Sequence, residues 1–81
     1  MYYAYVIKSL NVNCFYKGHC KDLKKRIDQH NSGMTESIKM YAPFKLVYSE
    51  DFETMEEAIK REKYFKTAAG RRFLKLKILA S

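Results

Sequence analysis

Residues Tyr2 to Ser9 alternate in a strand's period of two and are rich in β-formers, and a second β-rich run begins only five residues later at Cys14. This pairing constrains the chain more than any other feature, because it predicts a β-hairpin whose register can be written down. Tyr3, Tyr5 and Ile7 fall on one face, and Ala4 and Val6 on the other. Leu10-Asn11-Val12-Asn13 holds the turn, with two asparagines able to take left-handed backbone angles. Cys14 to His19 is the returning strand. A turn centred near Asn11 and Val12 puts Tyr5 opposite Gly18 and diagonal to Tyr16 on one sheet face. Lys17 and His19 then point to the other face. A glycine opposite a tyrosine is expected to leave room for a ligand beside the phenol.

Lys21 to Asn31 reads as a helix with Leu23 and Ile27 as its buried stripe, closed by Asn31-Ser32-Gly33 with Gly33 as a left-handed cap. Arg26 and His30, spaced i, i+4, share one shoulder of it. Met34 to Phe44 is expected to be a loop, and Lys45 to Phe52 a third strand with Leu46, Tyr48 and Phe52 alternating. Thr54-Met55-Glu56-Glu57 is a capping box opening a second helix, whose apolar face is Met55, Ala58, Ile59 and Phe65. Ala68-Ala69-Gly70 breaks that helix, and Arg71 to Leu79 forms a third, anchored by Phe73, Leu74, Leu76 and Ile78. The order β-β-α-β-α-α predicts an α+β fold: a three-stranded, mainly antiparallel sheet flanked by helices. With 81 residues it makes one domain, 1–81.

The net charge is +7, and the cations are clustered. Lys60 to Lys77 carries eight bases against the single acid Glu62, and Lys21, Lys24, Lys25 and Arg26 form a second group. Glu50, Asp51, Glu53, Glu56 and Glu57 make an acidic block between them. Clustered cations attract polyanions, of which nucleic acid is the commonest; a solvated surface that keeps a small protein soluble is the plain alternative. Cys14 and Cys20 lie six residues apart on one strand, too far for a disulfide, which suits a reduced, cytoplasmic protein. No apolar run reaches the ~20 residues of a membrane span, so no membrane partner is expected.

Glu62 lies i+4 from Ala58, i+3 from Ile59 and i−3 from Phe65, along the apolar stripe. A carboxylate facing a core needs a cation, a metal ion or hydrogen bonds to compensate it, Arg26 being one candidate. A glutamate at the stripe's edge reaching solvent is the plainer reading of that position alone. Arg26 can fork onto a phosphate, and His30 can shuttle a proton near neutral pH. No Gly-rich phosphate loop, zinc spacing or G-x-S-x-G elbow is present. One carboxylate in the site argues for a single hard cation completed by waters and phosphate oxygens.

Y-A-Y-V at Tyr3, Y-K-G at Tyr16, D-L-K-K-R ending at Arg26, H-N-S-G from His30 and A-I-K-R-E ending at Glu62 occur in an order and spacing that resembles the GIY-YIG endonuclease superfamily, and its small stand-alone bacterial members in particular. The resemblance spans nearly the whole chain. It implies that Tyr5 is a general base, that Tyr16 assists at the phosphate or metal-bound water, that Arg26 and His30 stabilise developing charge, and that Glu62 holds one Mg²⁺ or Mn²⁺. Lys17, His19, Lys24, Lys25, Arg71, Arg72 and Lys75 are the expected nucleic-acid contacts. The departures are Tyr3-Ala4-Tyr5 in place of Gly-Ile-Tyr, Lys17 in place of an apolar residue, and His19 where some repair-type members have lysine.

The expected function is therefore a metal-dependent endonuclease acting on DNA, in repair or recombination, with no small-molecule cofactor and with oligomerisation left open. A non-catalytic nucleic-acid-binding module of the same fold is the alternative. An adaptor whose basic helices dock on an acidic protein is a third reading.

Overall fold

Four consecutive residues, Ala4 to Ile7, are fully buried in β1 (Tyr2–Ser9), because this strand is the middle of the sheet and is covered on both faces. In this computed structural model, which describes residues 1–33 and 38–79, β2 (Phe15–Cys20) and β3 (Phe44–Phe52) pair with β1 on either side in the antiparallel order β2-β1-β3. The helices are α1 (Leu23–Asn31), α2 (Met55–Phe65) and α3 (Ala68–Leu79), with a short 3-10 turn at Lys39–Tyr41. This is the α+β architecture that the element order predicts. Of the loop expected over 34–44, residues 34–37 lie outside the described residues.

Alternation along β1 divides the core in two. Ala4 and Val6 face α2 and α3, packing with Phe65 and Leu74; Tyr5 and Ile7 face α1, packing with Phe44, Leu23 and Ile27. The hairpin register is the predicted one, with Tyr5 opposite Gly18. Ser9 ties its turn together: its hydroxyl accepts from the amides of Asn11 and Val12 and donates to the Tyr41 carbonyl.

Several local expectations are corrected by packing. A bulge in β3 inserts Val47 between the partners of Val6 and Ile7. Leu46 therefore turns away from the face that Tyr48 and Phe52 share and is 39% exposed. Met55 and Leu76 are also largely solvent-facing, at 46% and 72%, so they anchor nothing. Helix α1 begins at Leu23, capped by the Asp22 carboxylate accepting from the Lys25 amide. Gly33 closes it with a φ of +82°, as its place in the sequence suggests.

The break between the last two helices falls at Lys66–Thr67 and not at Gly70. The Thr67 hydroxyl accepts from the Gly70 amide and donates to the Tyr64 carbonyl, so it starts α3 while finishing α2. Gly70 is buried inside α3 because α2 passes against it: a Cβ there would stand 1.9 Å from the Tyr64 carbonyl oxygen. Arg61 is withdrawn from the basic surface. Its guanidinium donates to both oxygens of Glu50, at 2.9 and 3.2 Å, and lies 4.6 to 5.3 Å from the Tyr64, Phe65 and Phe73 rings.

Gly70→Ala is expected to cost at least about 2 kcal/mol by overpacking, lowering Tm by roughly 10 °C in a domain of this size. Thermal unfolding followed by circular dichroism checks it. A variant melting with the wild type would remove the α2–α3 contact as the reason for this glycine.

Candidate active site

Tyr5 and His30 are both fully buried and joined by a hydrogen bond of 2.8 Å between the phenol oxygen and Nε2. β1 aims Tyr5 at the α1 face, and the last full turn of α1 brings His30 down onto it. Gly18 permits the meeting. A Cβ at that position would lie 2.5 Å from the Tyr5 hydroxyl oxygen and 2.7 Å from Cζ. The space that a glycine opposite Tyr5 was expected to offer a ligand is thus filled by the phenol itself. Tyr16, diagonal on the edge strand, sets its ring edge-on to His30 at 5.1 Å, and Phe44 approaches His30 from β3 at 6.3 Å.

Burial pushes the Tyr5 phenol up to about 12, although the Arg26 guanidinium beside it pulls the other way. Burial also lowers His30 below its ordinary 6.5, with the Arg26 charge adding to the effect. At neutral pH the pair is therefore a protonated phenol hydrogen-bonded to a neutral imidazole. Arg26 is half-buried; one terminal nitrogen donates to the Gln29 side chain at 3.3 Å, and its buried Nε has no hydrogen-bond partner among the described residues. A buried donor left without an acceptor is costly.

Glu62 stands across β2 from this group. Residues of β2 alternate as expected: Tyr16 meets α1, while His19 meets α2. His19 donates through Nδ1 to one Glu62 oxygen at 2.6 Å, and Lys66 donates to the other at 2.8 Å. Burial works to raise the Glu62 carboxyl, but the Lys66 and His19 bonds outweigh it and hold the group below its usual range. The compensating partners are thus His19 and Lys66, and no bond joins Glu62 to Arg26 among the described residues. β2 is an edge strand, and among the described residues no strand pairs with its outer side, which runs between the two groups. Tyr5, Tyr16, Arg26 and His30 lie on one side of that edge, and Glu62 and His19 on the other.

A profile of the GIY-YIG catalytic domain matches residues 1–75 of this chain. The chain belongs to the GIY-YIG family. It is 41% identical over 76 residues to a UPF0213 protein of Staphylococcus saprophyticus, covering 93% of this chain and 92% of that one. A UPF0213 protein of Staphylococcus aureus is 36% identical over the same length. The solution NMR structure of the UPF0213 protein BH0048 from Bacillus halodurans superposes with a TM-score of 0.55 at 30% identity, covering 98% of this chain and 85% of that one.

In this GIY-YIG domain the two motif strands, Tyr3-Ala4-Tyr5 and Tyr16-Lys17-Gly18, are the paired β1 and β2. Among the described residues no three His, Cys, Asp or Glu side chains converge as a metal cage. Glu62 nonetheless fits a hydrated cation: a carboxylate has about four acceptor positions, and His19 and Lys66 occupy two. Mg²⁺ commonly keeps several waters and takes one or two carboxylates. The nucleic-acid candidates divide. Lys24, Lys25, Arg71, Arg72 and Lys75 are exposed on α1 and α3, whereas Lys17 is half-buried and His19 is engaged by Glu62. Two neighbours were not singled out by sequence reasoning: Gln29, which holds Arg26, and Lys66, which holds Glu62. Only the i, i+4 spacing of Glu62 and Lys66 could have announced the second.

Because the unfolded chain takes up a proton on this imidazole first, His30 contributes stability that is present above about 6.5 and is lost as pH falls from there toward its lower folded value. An NMR titration of the His30 ring is expected to show a midpoint below 6.5 in the wild type. In Gly18→Ala the displaced phenol should let that midpoint rise toward 6.5. An unchanged midpoint would show that the Gly18 contact does not govern the pair.

Proposed function

We propose that this protein is a metal-dependent endonuclease that hydrolyses phosphodiester bonds of DNA through Tyr5, Tyr16, Arg26, His30 and Glu62. The observation carrying this reading is the buried Tyr5–His30 hydrogen bond beside a guanidinium with an unpartnered Nε. A phenol at about 12 is a poor base alone, but here its own proton has a waiting acceptor. As the attacking water gives a proton to the Tyr5 oxygen, the phenolic proton passes to His30 Nε2. The water oxygen then bonds to phosphorus as the opposite P–O bond breaks in line, the leaving oxygen taking a proton from solvent. Arg26 would offer its guanidinium to a phosphate oxygen and hold the charge that builds there. Glu62 would hold one Mg²⁺ or Mn²⁺, which when bound neutralises phosphate charge and polarises the scissile bond.

Lys24, Lys25, Arg71, Arg72 and Lys75 would grip the backbone without reading bases, and that grip should weaken steeply with salt. Cleavage in DNA repair or recombination, by a single cytoplasmic domain, is the setting this reading suits. A non-catalytic nucleic-acid-binding module remains the second reading. It is favoured by the full burial of the Tyr5 hydroxyl and by the engagement of both Glu62 oxygens.

Supercoiled plasmid and branched DNA incubated with Mg²⁺ or Mn²⁺ decide between them. Cutting is expected, and Tyr5→Phe, Arg26→Ala and Glu62→Gln should each reduce it about 100-fold or more. Because neutral His30 is the proton acceptor, the rate should fall as pH drops through an ionisation below 6.5. Cutting that survives Arg26→Ala and Glu62→Gln would overturn the assignment of the site. Binding without any cutting would establish the module reading.

A further inference from the structure

A cavity of about 400 Å³ lies between α3 and the hairpin, beside the turn and on the Glu62 side of β2. That volume falls within the ~300–1,000 Å³ of ordinary small-molecule sites. Its floor is apolar, made by Val6, Leu74 and Ile78, and its rim is cationic, made by Lys17, Arg71 and Lys75. Among the described residues no carboxylate lines it. Lys17 is pressed by like charge as well as by burial, Arg71 and Lys66 both acting on it. Lys66 in turn binds Glu62, so the cavity and the Glu62 group share one face of the sheet.

Two further groups narrow the ligand. Phe15 follows the turn on the same face as Lys17, and its ring lines the cavity while remaining 38% exposed. Asn13 adds a carboxamide with both donors and an acceptor at the mouth. A flat apolar platform, a carboxamide and a cluster of cations together match an aromatic heterocycle carrying a phosphate. A base stacked in a duplex cannot enter such a concavity, whereas an unpaired one can.

We infer that this cavity receives one unpaired nucleobase of the substrate strand, stacked on Phe15, with the adjoining phosphates held by Lys17, Arg71 and Lys75. The inference rests on the proposed nuclease reading and deepens it. The domain would engage single-stranded or branched regions, where a base is free to leave its neighbours.

The test uses binding without metal, so that no cutting is required. A fluorescein-labelled DNA single strand of about twelve nucleotides and a strand of equal length made wholly of abasic sites are titrated in EDTA and read by anisotropy. Wild-type protein should bind the base-bearing strand about tenfold more tightly, as one base stacked on an aromatic side chain would produce. Phe15→Ala, at a half-exposed position that leaves the core intact, should abolish most of that difference. Lys24→Ala should weaken both strands alike. Equal wild-type affinity for the two strands would overturn the inference while leaving the nuclease reading standing if plasmid is still cut. Retention of the full preference by Phe15→Ala would place the base elsewhere and overturn it too. A stable dimer formed without DNA, whose interface covers Phe15, would assign the cavity to a second copy of the chain instead.

Discussion

With no side chain at Gly18, the Tyr5 ring lies across the neighbouring strand and its hydroxyl reaches His30, so a single missing methyl group decides whether the strand and the first helix meet chemically. The rest of the site leans on this contact. His30 is pinned between Tyr5, Tyr16 and Phe44, which settles the end of α1 on the sheet. That placement draws Arg26, one turn earlier, under cover beside the phenol. The pair's opposed shifts follow from the same burial, which disfavours charge on both partners. The phenol is thereby left protonated with a neutral imidazole facing it.

Because β1 is buried on both faces, the two halves of the core serve different purposes. One face carries Tyr5 and Ile7 against α1 and builds the proton-transfer pair. The other carries Ala4 and Val6 against α2 and α3, and so positions Glu62, Lys66 and the cavity under α3. Edge strand β2 is shared by both. Its alternation sends Tyr16 to one side and Phe15, Lys17 and His19 to the other, so one six-residue strand contributes to every functional group described. Putting these groups on regular strands and helices holds them by packing more firmly than a loop would.

Much of this was legible in the chain itself. The Tyr5–Gly18 register followed from the position of the asparagine-rich turn, and the Arg26–His30 pairing followed from helical spacing. What escaped was set by neighbours distant in sequence. Glu62 was recognised as a carboxylate in need of a partner, but choosing His19 over Arg26 required knowing which face of β2 meets α2. Arg61 counted as a surface cation until the Glu50 carboxylate and three rings were brought around it. The β3 bulge, which reverses Leu46, leaves no local mark because it answers to the pairing with β1.

The sequence by itself determined the hairpin, its register and the element order, since periodicity and turn chemistry are local properties that act whatever surrounds them, and the order and spacing of its motifs carried the resemblance to the GIY-YIG family. Only the tertiary structure decided what those elements do to one another. It filled the space at Gly18 with a phenol, kept Gly70 inside a helix, matched Glu62 with His19 and Lys66, and opened a cation-rimmed cavity under α3. Each of these depends on a contact between residues far apart in the chain, where packing and desolvation outweigh local preference.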